Sequence, residues 1–355
     1  MATISPTPVK NLVPDNVRAE RQHDAVARSA LAHATRLIHR VCCLAGSADF
    51  IDEIRADNRA IRSAITRHDT AALFDWLMTM LSYQGVSDRV AYGYMDQHGR
   101  VTWHEIKRAL ATQPSCPKLQ SYWQFHSCHY HKTSGTCAEP EHIEHCPLPI
   151  QNLRNGRLNQ TAYSLFLFIR DIAENDLVGW IEGQLSSVAD AHNVSEMRDA
   201  LLEPLRHVYG VSDKVLSMAL SVLLLAAPRT MRHWVEVGYS MIAIDTLVHN
   251  FLHRTGILFR FNADHLYGPA CYRDGGCADI VGMVAQQIDA SQFNRCFPKT
   301  FPRFVQHAIW RYCAGNGLDV CNGNRINDDD RCDNVYCRVR PMCDRVALRR
   351  NVESS

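Results

Sequence analysis

The sequence predicts an all-α protein, and three observations lead to this prediction. Apolar residues recur at spacings of three and four in segments such as 30–44 and 71–81, which is the period of an amphipathic helix. The alternating pattern of a β-strand is nearly absent, and no internal repeat is found. The chain has 355 residues, and 46% are hydrophobic, so it can bury the core of one large helical domain or two smaller ones.

The first half of the chain combines helical periodicity with one irregular region. Residues 16–80 have the helical period and carry no recognisable chemistry. A short β-hairpin is predicted at 90–103. Residues 115–150 are rich in Cys, His, Pro and aromatic residues without a clear period, so we expect a loop held by bound metal. Residues 159–173 are apolar on most sides and predict a buried helix.

The second half predicts three helices in succession. Ser195 is placed as the N-cap of the first, and Gly210 stands where a glycine ends a helix. The second helix, 213–227, ends before a proline and is apolar over nearly its whole surface, so we expect it at a centre of packing. Asp245 is placed as the N-cap of the third helix, which ends at Gly256.

Charge and hydropathy exclude some classes of protein. The 38 Lys and Arg residues nearly balance the 37 Asp and Glu residues, so the net charge gives no support for nucleic-acid binding, and any basic surface must be local. The first seventeen residues lack the apolar segment of a signal peptide. The longest apolar run, 215–227, is too short to span a bilayer. We therefore expect a folded cytoplasmic protein without a membrane partner.

The turn between the first two of these helices carries a recognisable motif. It has the sequence Val208-Tyr209-Gly210-Val211-Ser212-Asp213-Lys214 and resembles the L-P-G-V-G-x-K hairpin of helix-hairpin-helix (HhH-GPD) DNA glycosylases, such as endonuclease III and 8-oxoguanine glycosylase. The following segment, Ile244-Asp245-Thr246-Leu247-Val248-His249, resembles the V-D-T-H-V/I segment of that superfamily. The resemblance covers roughly residues 195–257, less than a fifth of the chain, and implies a two-lobed helical architecture.

The resemblance implies a site for DNA and for its chemistry. The backbone N–H groups of Gly210, Val211 and Ser212 would bind a phosphate without needing net positive charge. Lys214 falls on the lysine that attacks the sugar C1′ to form a Schiff base, after which β-elimination cuts the strand. Asp245 falls on the carboxylate that stabilises positive charge on the sugar of the flipped nucleotide.

These residues imply a DNA glycosylase with abasic-site (AP) lyase activity in base-excision repair. Its expected partner is double-stranded DNA with a damaged or modified base, so the protein would associate with the nucleoid, and no protein partner is indicated. We also place Asn159 and Gln160 near the opposite DNA strand.

Departures from the motif keep two other interpretations open. Ser212 replaces the second hairpin glycine, and the interval from Lys214 to Asp245 is longer than in endonuclease III. The first alternative is a non-catalytic HhH DNA-binding protein with structural metal sites. The second is a metal-stapled interaction or regulatory protein whose resemblance to the hairpin is accidental, with Lys214 an ordinary exposed lysine and Asp245 a structural helix cap.

The fourteen cysteines favour metal or cluster binding over disulfides, because no signal peptide is predicted. Relatives in the superfamily hold a [4Fe–4S] cluster through cysteines spaced six, two and five residues apart. The chain has a C-terminal set with intervals of ten, four and five, and the resemblance implies a [4Fe–4S] cluster there, on Cys321, Cys332, Cys337 and Cys343.

A second set of cysteines lies in the loop-rich insert. Its intervals of eleven, eight and eight do not form a two-knuckle zinc pattern, so zinc and an iron–sulfur cluster are both allowed for Cys116, Cys128, Cys137 and Cys146. Some of these predicted ligands could be replaced by Cys271, Cys277, Cys296 or Cys313. We divide the chain into an N-terminal helical region (1–114), a metal-binding insert (115–150), a glycosylase-like core (151–270) and a Cys-rich C-terminal region (271–355).

Overall fold

Helices joined by loops and short 3-10 turns make up the regular structure of the protein. The computed structural model describes residues 15–349 apart from 85, 87, 112–115, 151–152, 154–155 and 189–192. Within these residues no β-strand forms, and an isolated antiparallel bridge joins His131 to Thr136. The prediction of an all-α protein is confirmed. No helix in this part of the chain is both long enough and apolar enough to cross a membrane.

The α-helices are distributed along the whole described chain. The first eight are α1 (Asp15–Ala45), α2 (Phe50–Asp57), α3 (Arg59–Thr66), α4 (Thr70–Leu81), α5 (Asp88–His98), α6 (Trp103–Ala111), α7 (Tyr122–Phe125) and α8 (Asn159–Asp171). They are followed by α9 (Leu177–Ser186), α10 (Val194–Arg206), α11 (Asp213–Ala226), α12 (Arg232–Ser240), α13 (Thr246–Arg254), α14 (Ile257–Arg260), α15 (Cys277–Gln286) and α16 (Pro302–Cys313). The 3-10 turns are Pro117–Leu119, Pro140–His145, Leu148–Ile150, Pro269–Tyr272, Ala290–Gln292 and Arg340–Met342.

Three of the predicted helices form close to their expected bounds. In α8, the side chains of residues 159–169 are all buried, as its apolar surface predicted. The apolar helix α11 begins directly after Ser212. Asp245 caps α13, because its Oδ1 accepts a hydrogen bond from the Val248 amide at 2.9 Å. Gly256 follows α13 with a positive φ of 79°, in agreement with its predicted role at the helix end.

Two local predictions are wrong. α10 begins two residues earlier than expected, because Asn193, and not Ser195, accepts a hydrogen bond from the Glu196 amide at 3.1 Å. The predicted hairpin at 90–103 is replaced by α5 and the start of α6. The buried side chains of α5 are Ala91 and Met95, which are four residues apart, so packing selects the helical period over the alternating one.

The buried apolar side chains form two hydrophobic cores. Core one unites α3, α4 and α6 with the middle of the chain, α7 to α12. Core two joins α1 and α2, from the N-terminal part, to α13–α16 and to apolar residues of the C-terminal loop. The hairpin before α11 therefore belongs to core one, whereas α13 belongs to core two.

Candidate functional site

The hairpin between α10 and α11 is held by local contacts that explain its sequence. Gly210 has a φ of 72°, and a Cβ at this position would lie 3.1 Å from the Thr161 hydroxyl, so glycine is favoured for two reasons. Arg206, at the end of α10, donates to the Asp213 carboxylate at 2.7 Å and ties the two helices together. These contacts within the chain define the shape of the hairpin.

Its backbone amides are partly engaged within the chain. The Val211 amide donates to the Val208 carbonyl at 3.3 Å. The Ser212 amide donates to the side-chain oxygen of Gln84 at 3.2 Å, and the Gln84 side-chain nitrogen donates to the Gly210 carbonyl. A phosphate that binds at Ser212 would therefore have to displace Gln84.

The two predicted catalytic residues lie near enough for their charges to interact. Lys214 is in the first turn of α11, a helix of core one, and Asp245 caps α13, a helix of core two. Both side chains are partly buried. Burial raises the pKa of Asp245 above its ordinary value. The positive charge of Lys214 lowers this pKa, but its effect is smaller than that of burial.

Three residues that the sequence analysis missed surround Asp245. The Tyr272 hydroxyl accepts a hydrogen bond from the Ile244 amide at 2.7 Å. Burial raises the pKa of Tyr267, and the negative charge of Asp245 raises it further. Burial lowers the pKa of Arg303 to about 10, although the charges of Tyr272 and Asp245 counteract this effect. Asp245 therefore lies among cations and phenol groups that come from separate parts of the chain, which no local motif could reveal.

A group of four metal-ligand side chains lies one helical turn beyond Asp245. One ligand atom from each residue lies within 4.8 Å of the others in the Cys/His group, namely His249, His265, Cys271 and Cys277. The pKa of Cys271 lies well below its ordinary value. The main cause is a hydrogen bond with the Cys277 thiol, which outweighs the opposite effect of burial. This group could bind a metal ion. Cys271 and Cys277 were predicted only as substitutes at other sites, and neither histidine was predicted as a ligand.

The four predicted ligands of the insert line one cavity, and we call them the insert thiols (Cys116, Cys128, Cys137 and Cys146). Burial, with a smaller contribution from the charges of the other three thiols, raises the pKa of Cys146 to about 11. Among the described residues, only the Cys/His group brings three or more ligand atoms within 4.8 Å of one another. The sulfur atoms of the insert thiols thus surround their cavity at wider spacing.

The four predicted C-terminal ligands also gather, and we call them the C-terminal thiols (Cys321, Cys332, Cys337 and Cys343). Burial, with a smaller contribution from the charges of the other three thiols, raises the pKa of Cys343 to about 12. Their loop contacts the end of α13, where the Cys343 thiol is 3.6 Å from the Arg254 carbonyl and the Val346 amide donates to the same carbonyl at 2.8 Å. Buried Arg254 also forms an ion pair with Asp328 in this loop.

Four other residues that the sequence singled out lie outside the catalytic pair and the ligand groups described above. Asn159 and Gln160 are buried in core one, and the Asn159 amide nitrogen donates to the Leu148 carbonyl at 2.7 Å. The prediction that they contact a DNA strand is therefore wrong, because both are packed inside the protein. Cys296 is exposed, whereas Cys313 is buried beside Cys321.

Comparisons with protein-family models, with curated proteins and with solved structures find no match for this chain. The interpretation of its function rests on the residues and the geometry described above.

Proposed function

We propose that the protein is a DNA glycosylase with AP-lyase activity that removes a damaged or modified base from double-stranded DNA. Lys214 is the nucleophile in this proposal, and Asp245 is the carboxylate that stabilises the sugar. The proposal includes the two-lobed arrangement that the sequence resemblance implies, with the nucleotide between the lobes.

One observation carries the proposal. Lys214 and Asp245 are far apart in the sequence, on helices that pack in different cores, yet they lie near enough for the charge of Lys214 to lower the pKa of Asp245. A partly exposed amine beside a carboxyl of raised pKa is the kind of pair that functional sites contain.

The chemistry follows from these two groups. The neutral amine of Lys214 attacks C1′ of the flipped nucleotide, and the bonding electrons of the glycosidic bond leave with the base, which takes up a proton. Asp245 stabilises the positive charge that develops on the sugar as this bond breaks. Loss of a proton from the amine and opening of the sugar give a Schiff base on Lys214. Removal of the C2′ proton then expels the 3′ phosphate by β-elimination.

The two four-thiol sets support a second part of the proposal, namely that each binds a [4Fe–4S] cluster. A single zinc ion holds thiolates about 3.8 Å apart, since Zn–S bonds are about 2.3 Å long in tetrahedral sites. The thiols of a [4Fe–4S] cluster bind four different irons and stand farther apart. The wider spacing of both sets favours the cluster, which would supply a rigid, negatively charged centre, and Arg254 would face it at the C-terminal set. Zinc is the alternative at either set.

Borohydride trapping tests the catalytic part. The protein is mixed with duplexes that contain an abasic site, uracil, 8-oxoguanine or an oxidised pyrimidine, and sodium borohydride is added to reduce any Schiff base. We expect a covalent adduct with at least one duplex, and its absence in Lys214→Ala. Lys107→Ala, which removes an exposed lysine of α6, serves as the control and should leave the adduct in place.

The same experiment distinguishes the alternative functions. DNA binding without an adduct or base release would support a non-catalytic HhH protein. No binding to any duplex would contradict both DNA-based functions and favour a metal-stapled regulatory protein.

Iron analysis tests the cluster assignment. Two [4Fe–4S] clusters predict about eight iron atoms per chain in protein purified without oxygen. Cys137→Ser and Cys343→Ser should each remove about half of the iron, whereas Cys296→Ser, at an exposed cysteine, should remove none. A colourless protein with zinc and no iron would contradict the cluster assignment.

A further inference from the structure

We propose a structural zinc site that fastens the loop at 262–276 to α13 beside Asp245, with four ligands: His249, His265, Cys271 and Cys277. This inference does not depend on the proposed catalytic activity, because it rests on the arrangement of the ligand atoms alone.

The distances between the ligand atoms fit one tetrahedral ion. His249 Nδ1 is 3.4 Å from the Cys277 sulfur and 3.5 Å from the Cys271 sulfur. The Cys277 sulfur is 3.4 Å from His265 Nε2. In a tetrahedral zinc site with bonds of about 2.3 Å to sulfur and about 2.0 Å to nitrogen, neighbouring S and N ligands are about 3.5 Å apart.

The pairing of the ligands argues against a two-iron centre. In a [2Fe–2S] centre with two cysteines and two histidines, the cysteines bind one iron and the histidines bind the other. Here each sulfur atom lies against an imidazole nitrogen, so sulfur and nitrogen share one ion. A disulfide does not account for the group either, because Cys271 and Cys277 are both free. Two thiolates and two imidazoles in tetrahedral geometry are a typical zinc donor set.

The surroundings point to a structural rather than a catalytic ion. Cys271 and Cys277 are fully buried, and His249 is 5% exposed. Four protein ligands fill the tetrahedron, so no position is left for water or substrate. His265 is oriented by its second ring nitrogen, since Nδ1 lies 2.7 Å from the Ala263 carbonyl and Nε2 is thereby left to bind the ion.

The ion would hold a loop that carries two of the residues around Asp245. Cys271 adjoins Tyr272, whose hydroxyl contacts the Ile244 amide directly before Asp245. The Tyr267 ring lies 5.8 Å from the His249 ring, on the same loop between His265 and Cys271. The loop joins core two through Cys271 and through Cys277 at the start of α15, while His249 is supplied by α13. Zinc would thus fix the positions of both tyrosines relative to Asp245.

Metal analysis of the full-length protein tests this inference. We expect about one zinc per chain in addition to any iron, and its loss in Cys277→Ser with the iron content unchanged. The matched control Cys296→Ser should keep the zinc. After exchange with Co²⁺, the protein should show the visible absorption of tetrahedral cobalt with thiolate ligands, and Cys277→Ser should not. A zinc content in Cys277→Ser equal to that of the wild type would overturn the site.

Two variants of His265 keep the test decisive if Cys277→Ser does not fold. His265 is only partly buried, so its replacement leaves the core packing largely intact. His265→Ala should lose zinc to a competing chelator far more readily than the wild type, whereas His265→Cys should retain it through a third thiolate. Amide hydrogen exchange at 262–276 should be faster in His265→Ala than in His265→Cys. Equal zinc retention and equal exchange in the two variants would contradict the proposal.

Discussion

Core one and core two bury different kinds of polar group. In core one, the buried polar side chains are neutral amides and hydroxyls, such as Asn159, Thr161 and Ser217. In core two, they include the imidazole of His249 and the guanidinium groups of Arg254 and Arg303. Neutral groups need only hydrogen bonds, whereas buried charges need charged partners or metal ions. We infer that apolar packing stabilises the centre of core one and that metal binding contributes strongly to core two.

Zinc removal gives the largest expected difference between the cores. The apparent binding free energy of zinc in small structural sites is about 10–16 kcal/mol, which is comparable with the whole stability of a domain. A zinc chelator should therefore greatly increase amide hydrogen exchange in α13, α15 and α16. The apolar helices α8 and α11 of core one should change much less. Equal loss of protection in both cores would contradict the comparison.

Substitution of Asp245 tests the proposed catalytic role of a residue that caps a helix of core two. The proposed mechanism requires an ionised carboxylate, so base release should fall as the pH drops through the pKa of Asp245. Burial raises this pKa, so the acid limb should lie above the ordinary value of about pH 3.9. Asp245→Asn should lower the rate by about 10²-fold or more and remove this limb. Single-turnover base release across a pH series measures both effects, and an unchanged limb in Asp245→Asn would exclude Asp245 as its source.

A substitution of Arg254 measures how much one buried ion pair of core two contributes to the unfolding free energy. Its side chain is 3% exposed and pairs with Asp328, which is 35% exposed. Arg254→Gln leaves that carboxylate without its partner and removes a positive charge beside the C-terminal thiols, so we expect a loss of about 2 kcal/mol in unfolding free energy. Arg325→Gln is the matched control, because Arg325 is 60% exposed and its ion pair should contribute less than about 1 kcal/mol. Similar urea midpoints for the two variants would contradict this difference.

Replacement of Gln84 has the smallest expected effect. It tests the hairpin between α10 and α11, which belongs to core one. Gln84→Ala frees the Ser212 amide, and a hydrogen bond of this kind contributes about 0.5–1.5 kcal/mol. Affinity for duplex DNA should therefore rise by about threefold to tenfold at fixed salt, as measured by fluorescence anisotropy. Gln97→Ala, at an exposed position of α5, is the control. Weaker binding by Gln84→Ala would show that Gln84 supports the hairpin instead of competing with DNA.

The helical elements were largely predictable from the sequence, because their signals are local. The period of apolar residues identifies α8 and α11, and the side chain of Asp245 identifies the start of α13. The error at 90–103 arose where packing, which the sequence does not display, selects the helical period of Ala91 and Met95. The division into four segments stays a prediction.

The candidate site was predictable only where its residues belong to a motif or a Cys-rich segment. Lys214, Asp245 and the two four-thiol sets were found in this way. The Cys/His group was missed because His249 lies on a helix in core two and His265 on a separate loop, so no fixed spacing joins them. Cys271 and Cys277, six residues apart, were the one local signal, and a search for histidines near such a pair could have found the site.

The contacts of α13 also determine at what stage of synthesis this helix can reach its native packing. The helix is short, yet Asp245 caps its first turn, His249 belongs to the Cys/His group, and the carbonyl of Arg254 contacts a thiol 89 residues later in the chain. During synthesis, α13 emerges from the ribosome well before Cys277 and Cys343. The nascent chain therefore cannot form the native surroundings of α13 until nearly all of core two has been made. A delay in metal delivery at that stage would prolong the exposure of the apolar residues that α13 buries.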